Sequence, residues 1–307
     1  SFVDSDTFGS LTHFEKLLDL IIALRYKNEE DYSMWAEIIP NPLFNDKLME
    51  KMAIAGFKNI FIGYDGLSDS LLSKMNKSNS FSDNIFFVKH SLKNGITPIV
   101  NVIKHVPEET EEDVQECINN LHYLRFFYNN SIVAFSHIYV SLVLSSMTKY
   151  YSSMSSDERK NYNNDNLTDL MPNYFSNSEN RFHLFRYEKN VASNKKEWDK
   201  LKEIEDYYST NRFNYTILEN NGVFYYTEYC NDVEIENIVF GEPEYGYVLK
   251  AIEHKVCTFT GLFDEMKKVY IRLTKQRLKE ILTNLKQAYL IYFNAEFSNI
   301  VSIIETH

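Results

Sequence analysis

Gly56-Phe57-Lys58-Asn59-Ile60-Phe61-Ile62-Gly63-Tyr64-Asp65 is the stretch on which the fold turns. A glycine that closes a helix is followed by a short apolar strand, Asn59 to Ile62, which runs into Gly63 and a polar turn. The same order recurs on both sides. Upstream, Phe2 and Val3 read as the end of a strand. A helix follows from about Thr12, with Thr12 and Glu15 at capping-box spacing and Leu17, Leu18, Ile21 and Leu24 on its buried face. Met34 to Ile38 reads as a strand, Pro40-Asn41-Pro42 stops it, and Asp46 to Ala55 reads as a helix. Downstream, Ser68 and Asp69 cap a short helix to Met75, and Ser82 to Lys93 forms a second helix that Asn94-Gly95 closes. Thr97 to Ile103 is the next strand, and the last lies in Ile132 to Leu144. Strands that return at intervals of roughly 30 residues with helices between them describe parallel βαβ units, as in a β/α barrel or open sheet.

Residues 145–195 break this order, being rich in Ser, Asn and Tyr, and read as an irregular connection; a helix from about Asn194 to Tyr208 follows. From Gly222 the pattern changes to strands, Val223 to Tyr229 and Ile235 to Phe240. Helices near Glu242 to Glu253, Thr260 to Val269 and Thr274 to Gln287 come next, then a closing hairpin of Tyr289 to Phe293 and Asn299 to Ile304. Three helices and a hairpin predict a winged-helix-like unit. The predicted organisation is a partial β/α barrel over 1–144, a connection plus helix over 145–221, and a small α+β unit over 222–307.

The chain has 307 residues, 44% of them hydrophobic and 15% aromatic, a composition that folds. Its formal charge of -11 disfavours nucleic acid, whose phosphates require clustered Lys and Arg, and suits a basic or peptide partner. Residues 222–307 alone hold 12 acidic against 9 basic residues. Cys117, Cys230 and Cys257 are too dispersed for a disulfide framework or a zinc ribbon. The first residues lack a basic-then-apolar signal, and the apolar run Ile138 to Leu144 is too short to cross a bilayer. A cytoplasmic protein without membrane contact is expected.

The ordered landmarks of residues 1–144 resemble the core of radical S-adenosylmethionine proteins, especially the cobalamin-linked group that matures ribosomally made peptides. Phe2-Val3-Asp4-Ser5-Asp6 resembles that barrel's aspartate-bearing second strand, and Trp35-Ala36-Glu37-Ile38 its third. Ala55 to Asp65 resembles the fourth, and Met75-Asn76-Lys77 stands where the family often has a Met-Asn-Lys-Gly turn. Asn101 to Thr110, with Pro107-Glu108-Glu109-Thr110, is similar to a Gly-Phe-Pro-Gly-Glu-Thr loop. The resemblance implies S-adenosylmethionine, a 4Fe-4S cluster and, for this group, cobalamin. It implies cofactor contacts at Asp4, Asp6, Glu37, Asp65 and Asn101. It also implies reductive cleavage of the cofactor to a radical that abstracts hydrogen or drives methyl transfer on a peptide, and a winged-helix element that pairs a precursor (leader) peptide as an added strand.

The departures are specific. A cluster needs closely spaced thiolates, and the sequence has no such motif. Ile39 stands where the family often has Arg, and His105 and Glu108 replace both loop glycines. The sequence is therefore either a part of a longer enzyme whose cluster loop precedes Ser1, or a scaffold without the chemistry that presents a precursor peptide to a partner maturation enzyme. An acid-base enzyme using Asp65, Glu37 and His105 is a third reading. His105 can serve as a general acid or base, against the simpler expectation of a solvent-facing loop histidine. The acidic run Glu108 to Asp113 is expected to complement a helix dipole, Cys117 to pack in a core, and Tyr225, Tyr226 and Tyr229 either to line a peptide groove or to follow strand propensity.

Overall fold

The computed structural model describes residues 9–29, 31–41, 43–128, 136–141, 143–145, 152–159, 162–164, 186–189 and 194–306. The strand read at Phe2 and Val3, with Asp4 and Asp6, lies outside these residues, as does most of the Asn-rich connection.

Helix α1 (Leu11–Asn28) starts after Ser10, not at Thr12, and the Ser10 hydroxyl meets His13 Nδ1 at 2.8 Å instead of capping the backbone. Strand β1 (Met34–Ile38) leads to α2 (Asp46–Ala55), which Asn45 caps by accepting from the Leu48 N–H. Gly56 ends α2 at φ 107°; a Cβ there would lie 2.4 Å from the Tyr32 carbonyl oxygen, so only glycine lets the chain turn into β2 (Phe57–Asp65). Two helices follow, α3 (Asp69–Lys74) and α4 (Phe81–Lys93), capped by Ser68 and by a Ser80–Asp83 capping box. Then come β3 (Thr97–Lys104), α5 (Glu111–Asn120) behind a Thr110–Asp113 capping box, a 3-10 turn (Leu121–Leu124) and β4 (Ser136–Ser141).

The four strands form one parallel sheet in the order β1-β2-β3-β4. Side chains alternate across it. Ala36, Ile38, Ile60, Ile62, Tyr64, Val100 and Val102 are buried in one core with Met49 and Met52 of α2 and Ile85 and Val88 of α4. Trp35, Glu37, Phe61, Ile99, Asn101 and Ile103 occupy the opposite face and stay half-buried or exposed. Of the middle segments, β5 (Val143–Ser145), β6 (Tyr162–Asn164) and β7 (Arg186–Lys189) pair antiparallel, and α6 (Ser156–Arg159) is a single turn.

Helix α7 (Lys195–Thr210) packs Trp198, Leu201 and Tyr208 into the first core. It is followed by an antiparallel sheet of β8 (Phe213–Asn220), β9 (Val223–Cys230) and β10 (Val233–Phe240), with β9 central. The sequence reading placed 213–220 in the connection; the structure pairs all of it with β9. The signal was present. Asn221-Gly222 and Asn231-Asp232 both have left-handed backbone, the two-residue turn that suits the twist of a hairpin. Helices α8 (Pro243–Ala251), α9 (Phe259–Lys267) and α10 (Lys275–Gln287) and a short pair, β11 (Ile291–Tyr292) with β12 (Val301–Ser302), complete the chain. Cys257 bridges Ile300 beside that pair. Phe224, Tyr226, Val248, Leu262, Leu278 and Ile281 belong to a second core.

The two cores meet along α4, where every residue from Phe81 to Ser91 is buried. Two of its polar side chains bond to backbone of the C-terminal segment: Ser82 donates to the Asn299 carbonyl at 2.8 Å, and Lys89 to the carbonyls of Glu253, Ser302 and Ile304 at 3.3, 3.0 and 3.4 Å. His90 bridges Asp46 at 2.8 Å and the Glu253 carbonyl at 3.0 Å. Tyr292, Val301 and Ile303 reach into the first core. Among the described residues, no helix is long and apolar enough to cross a membrane.

Candidate functional site

The half-exposed face of the parallel sheet is unusual, because parallel sheets are ordinarily covered on both sides. Register places Glu37 opposite Phe61 and Phe61 opposite Ile99, two residues before Asn101. Glu37 and Asn101 therefore share this face, separated by the width of β2 and two residues along β3, about 12 Å at ordinary strand spacing and rise. Trp35 and Phe61 lie beside them with ring centroids 6.4 Å apart. Asn101 Oδ1 is buried and has no hydrogen-bond partner among the described residues. A buried amide oxygen in that state costs free energy until a donor reaches it.

Asp65, at the carboxyl end of β2, is not on that face in the same way. Its backbone is left-handed, φ 57°, which ends the alternation, and its carboxylate pairs with Lys77 Nζ at 2.6 Å. Lys77 is delivered by the Met75-Asn76-Lys77 turn, which is a Schellman closure of α3. Asn76 is left-handed, its N–H bonds to the Ser73 carbonyl, and the Lys77 N–H bonds to the Leu72 carbonyl. Sequence reasoning quoted this turn without seeing that its lysine neutralises Asp65.

His105 follows β3 and is buried, 6% exposed, where a solvent-facing side chain was the simpler expectation. Its ring stands edge-on to Trp198, centroids 6.4 Å apart, and Nδ1 is 3.8 Å from Glu109 Oε1. Glu109 closes the loop: Oε2 accepts from the Val106 N–H at 3.0 Å, and Oε1 from Trp198 Nε1 at 3.0 Å and Asn194 Nδ2 at 3.2 Å. Glu109 therefore precedes α5 and staples the loop to α7, whereas Glu111, Glu112 and Asp113 occupy the helix's first turn. His105 and Glu108 both have positive φ, 64° and 65°. Glu37, Asp65 and His105 thus have three separate sets of neighbours.

The three cysteines stand apart. Cys117 is buried, donates to Ser68 Oγ at 3.3 Å, and has its thiol pushed up to about 12 by burial. Burial likewise raises Cys257 to about 11. Among the described residues no cluster of His, Cys, Asp and Glu could hold a metal ion.

A second concave surface lies on the C-terminal unit. Strand β10 pairs only with β9 among the described strands, so its outer edge is open. Between that edge and α10 runs a cavity of about 440 Å³, lined by Glu236, Val239, Gly241, Asn284 and Gln287 among others. Tyr225 is 37% exposed, whereas Tyr226 is buried and donates to Glu228.

No protein-family model matches the sequence, and no curated protein matches it. Among solved structures, the chain is similar to the radical S-adenosylmethionine methyltransferase TsrM from Kitasatospora setae, with cobalamin and a 4Fe-4S cluster bound. The identity is 21% and the TM-score 0.44, over 53% of this chain and 32% of that one. It is similar to the cobalamin-dependent S-adenosylmethionine radical enzyme OxsB at 20% identity and TM-score 0.33, over 36% of this chain and 17% of that one. Against the Escherichia coli coproporphyrinogen III oxidase HemN, a radical SAM enzyme, the identity is 9% and the TM-score 0.35, over 93% and 70%. The chain thus spans about a third of the length of TsrM.

Proposed function

We propose that this protein is of the radical S-adenosylmethionine type that modifies ribosomally made peptides, and that it holds two ligands: an adenosyl cofactor on the open face of β1–β3 and a precursor peptide along β10. The observation that carries the first is Asn101, whose buried Oδ1 lacks a donor on a half-exposed parallel-sheet face, within an ordered series of motifs resembling that family. S-adenosylmethionine, when bound, supplies activated methyl and adenosyl groups. Asn101 would accept from a cofactor N–H or O–H, Glu37 would face its positive charge, and Trp35 and Phe61 would cover its apolar parts. Asp65 joins them only on leaving Lys77.

The three cysteines do not fit a 4Fe-4S cluster. They sit on separate elements, and burial holds the Cys117 and Cys257 thiols in the protonated form, whereas iron is held by thiolates. A cluster, and with it any cobalamin chemistry, would need other ligands. That misfit favours a second reading, a non-catalytic module that binds a precursor peptide for a partner enzyme. In both readings the peptide adds a strand to β10: an open edge supplies main-chain hydrogen bonds, the cavity against α10 selects side chains, and the three helices with the β11–β12 pair act as the winged-helix support.

Calorimetric titration of S-adenosylmethionine and S-adenosylhomocysteine tests the first site. Saturable binding is expected, weakened about tenfold or more by Asn101→Leu, which removes the acceptor. Hydrogen exchange with a strand-forming Thr/Val heptapeptide tests the second, with added protection of the β10 amides expected. Peptide binding without cofactor binding selects the module reading; if neither ligand binds, both readings fall.

A further inference from the structure

At the end of α10 the peptide groove has a neighbour. Gln287 and Ala288 line the groove beside β10, and the adjoining residues Lys286 and Tyr289 line a second cavity of about 720 Å³, between α10 and the surface made by Asp69 and α5. The two cavities therefore meet across a single helix end.

Three carboxylates, Asp69, Glu116 and Glu296, line the second cavity against one ammonium, Lys286. That ammonium is already committed: Nζ donates to the Phe293 carbonyl at 2.6 Å and lies over the Phe293 ring at 4.3 Å. Asp69 is partly used, accepting from the Phe81 N–H at 2.8 Å and from the Tyr292 hydroxyl at 3.2 Å. Glu116 accepts hydrogen bonds from the Ser70 side chain and from the backbone of Asp69 and Ser70 at the start of α3, but forms no ion pair among the described residues. Burial, and then the charge of Asp69, raise its carboxyl above the ordinary value against the pull of the Ser70 hydrogen bond.

An independent observation points to a ligand. Tyr123 lines the cavity, is 5% exposed, and packs its ring against Tyr289 and Tyr292 with centroids 5.1 Å away in each case. Its hydroxyl has no hydrogen-bond partner among the described residues, and the side chain lines the cavity. A phenol oxygen at the tip of an otherwise buried ring, open to a space rimmed by carboxylates and aromatic rings, accepts from a cation's N–H and lets its chain lie on the rings.

We propose that this cavity is a subsite for a lysine or arginine side chain, carried by the peptide whose neighbouring residues pair with β10. The cation site stands on the cavity itself, whereas its assignment to a bound peptide rests on the groove reading above.

The test uses the full chain, isotope-labelled, and three probes too short to lie along β10: Nα-acetyl-lysine methylamide, its arginine counterpart and the neutral norleucine counterpart. The lysine and arginine probes are expected to shift the amide resonances of residues 116–123 and 286–296 saturably, with norleucine inert. Glu116→Gln should weaken binding about five- to tenfold, and Tyr123→Phe should weaken it without altering the spectrum of the free protein. Equal shifts from norleucine, shifts confined to other regions, or no saturation with any probe overturn the proposal. Because the probes do not touch the groove, failure of peptide pairing at β10 leaves this result intact, and its failure leaves the groove intact.

Discussion

Asp65, Asn76, His105 and Glu108 hold left-handed backbone around the strand ends without being glycine. For an L-residue that conformation costs about 1–2 kcal/mol. At His105 and Glu108 the resembling motif has glycine, so the loop keeps a glycine-compatible path although the side chains have changed. Glu108 is exposed and offers only its carbonyl, to Lys74 Nζ at 2.8 Å. Glu108→Gly should therefore be neutral or stabilising by up to about 1 kcal/mol, and Glu108→Val destabilising by about as much or more, in urea unfolding. Lys89 is the opposite case, a charged group in a place built for its hydrogen bonds but closed to water. Burial lowers its ammonium to about 8 despite the charges of Glu253 and Glu305. A lysine pKa below its unfolded value means that the unfolded chain binds the extra proton. Stability from this group is thus lowest below pH 8 and rises as pH climbs from about 8 toward the unfolded value near 10.5. Relative to Lys89→Met, the wild type should gain on the order of 3 kcal/mol across that window, read from urea curves of both proteins at matched pH.

At the scale of the element, the strand-helix alternation of the first half was legible because a half-covered parallel sheet writes a period of two and its helices carry caps. Strand β2 begins two residues earlier and ends three residues later than the apolar core Asn59 to Ile62 suggests. Helix α4 was legible as a helix but not as a buried one. No local pattern marks Ser82, Lys89 and His90 as buried, and only their long-range pairing with Asn299, Ser302, Ile304, Asp46 and Glu253 explains them. Strand β8 was missed because Tyr215, Thr216, Ile217 and Leu218 do not alternate cleanly, although Asn221-Gly222 marks its hairpin. Gly222 has φ 80°, and an added Cβ would lie 3.3 Å from Pro243 Cβ. Gly222→Ala should cost about 1–2 kcal/mol in urea unfolding, while Gly241→Ala, where a Cβ meets open space, should cost much less. Of the site, Asn101 and Glu37 were readable as strand residues sharing a face, whereas the Asp65–Lys77 pair and the Glu109–Trp198 bond depend on turns and a distant helix that no local pattern encodes.

Over the whole molecule, the two cores are tied by charge as well as by α4. Arg125, fully buried at the end of the 3-10 turn, makes two 2.7 Å bonds to the Glu228 carboxylate on β9, donates to the His122 carbonyl at 2.9 Å, and lies over the Phe126 ring at 4.1 Å. Burial would raise the Glu228 carboxyl, but the hydrogen bonds and charge of Arg125 hold it below the ordinary value. Arg125→Met leaves that carboxylate buried without its partner and should cost about 3–5 kcal/mol; the double variant Arg125→Met, Glu228→Leu should recover much of the loss, both measured by urea unfolding.

The carbonyl of Ser302 that Lys89 requires is 213 residues further along the chain. During synthesis the sheet half can therefore collapse, but it stays unfinished, with the Lys89 ammonium still open to water, until β12 has cleared the ribosome. The segment around Ser302 and Ile304 acts as the bolt between the two cores, and a nascent chain stalled before it would expose α4 as a surface for chaperones.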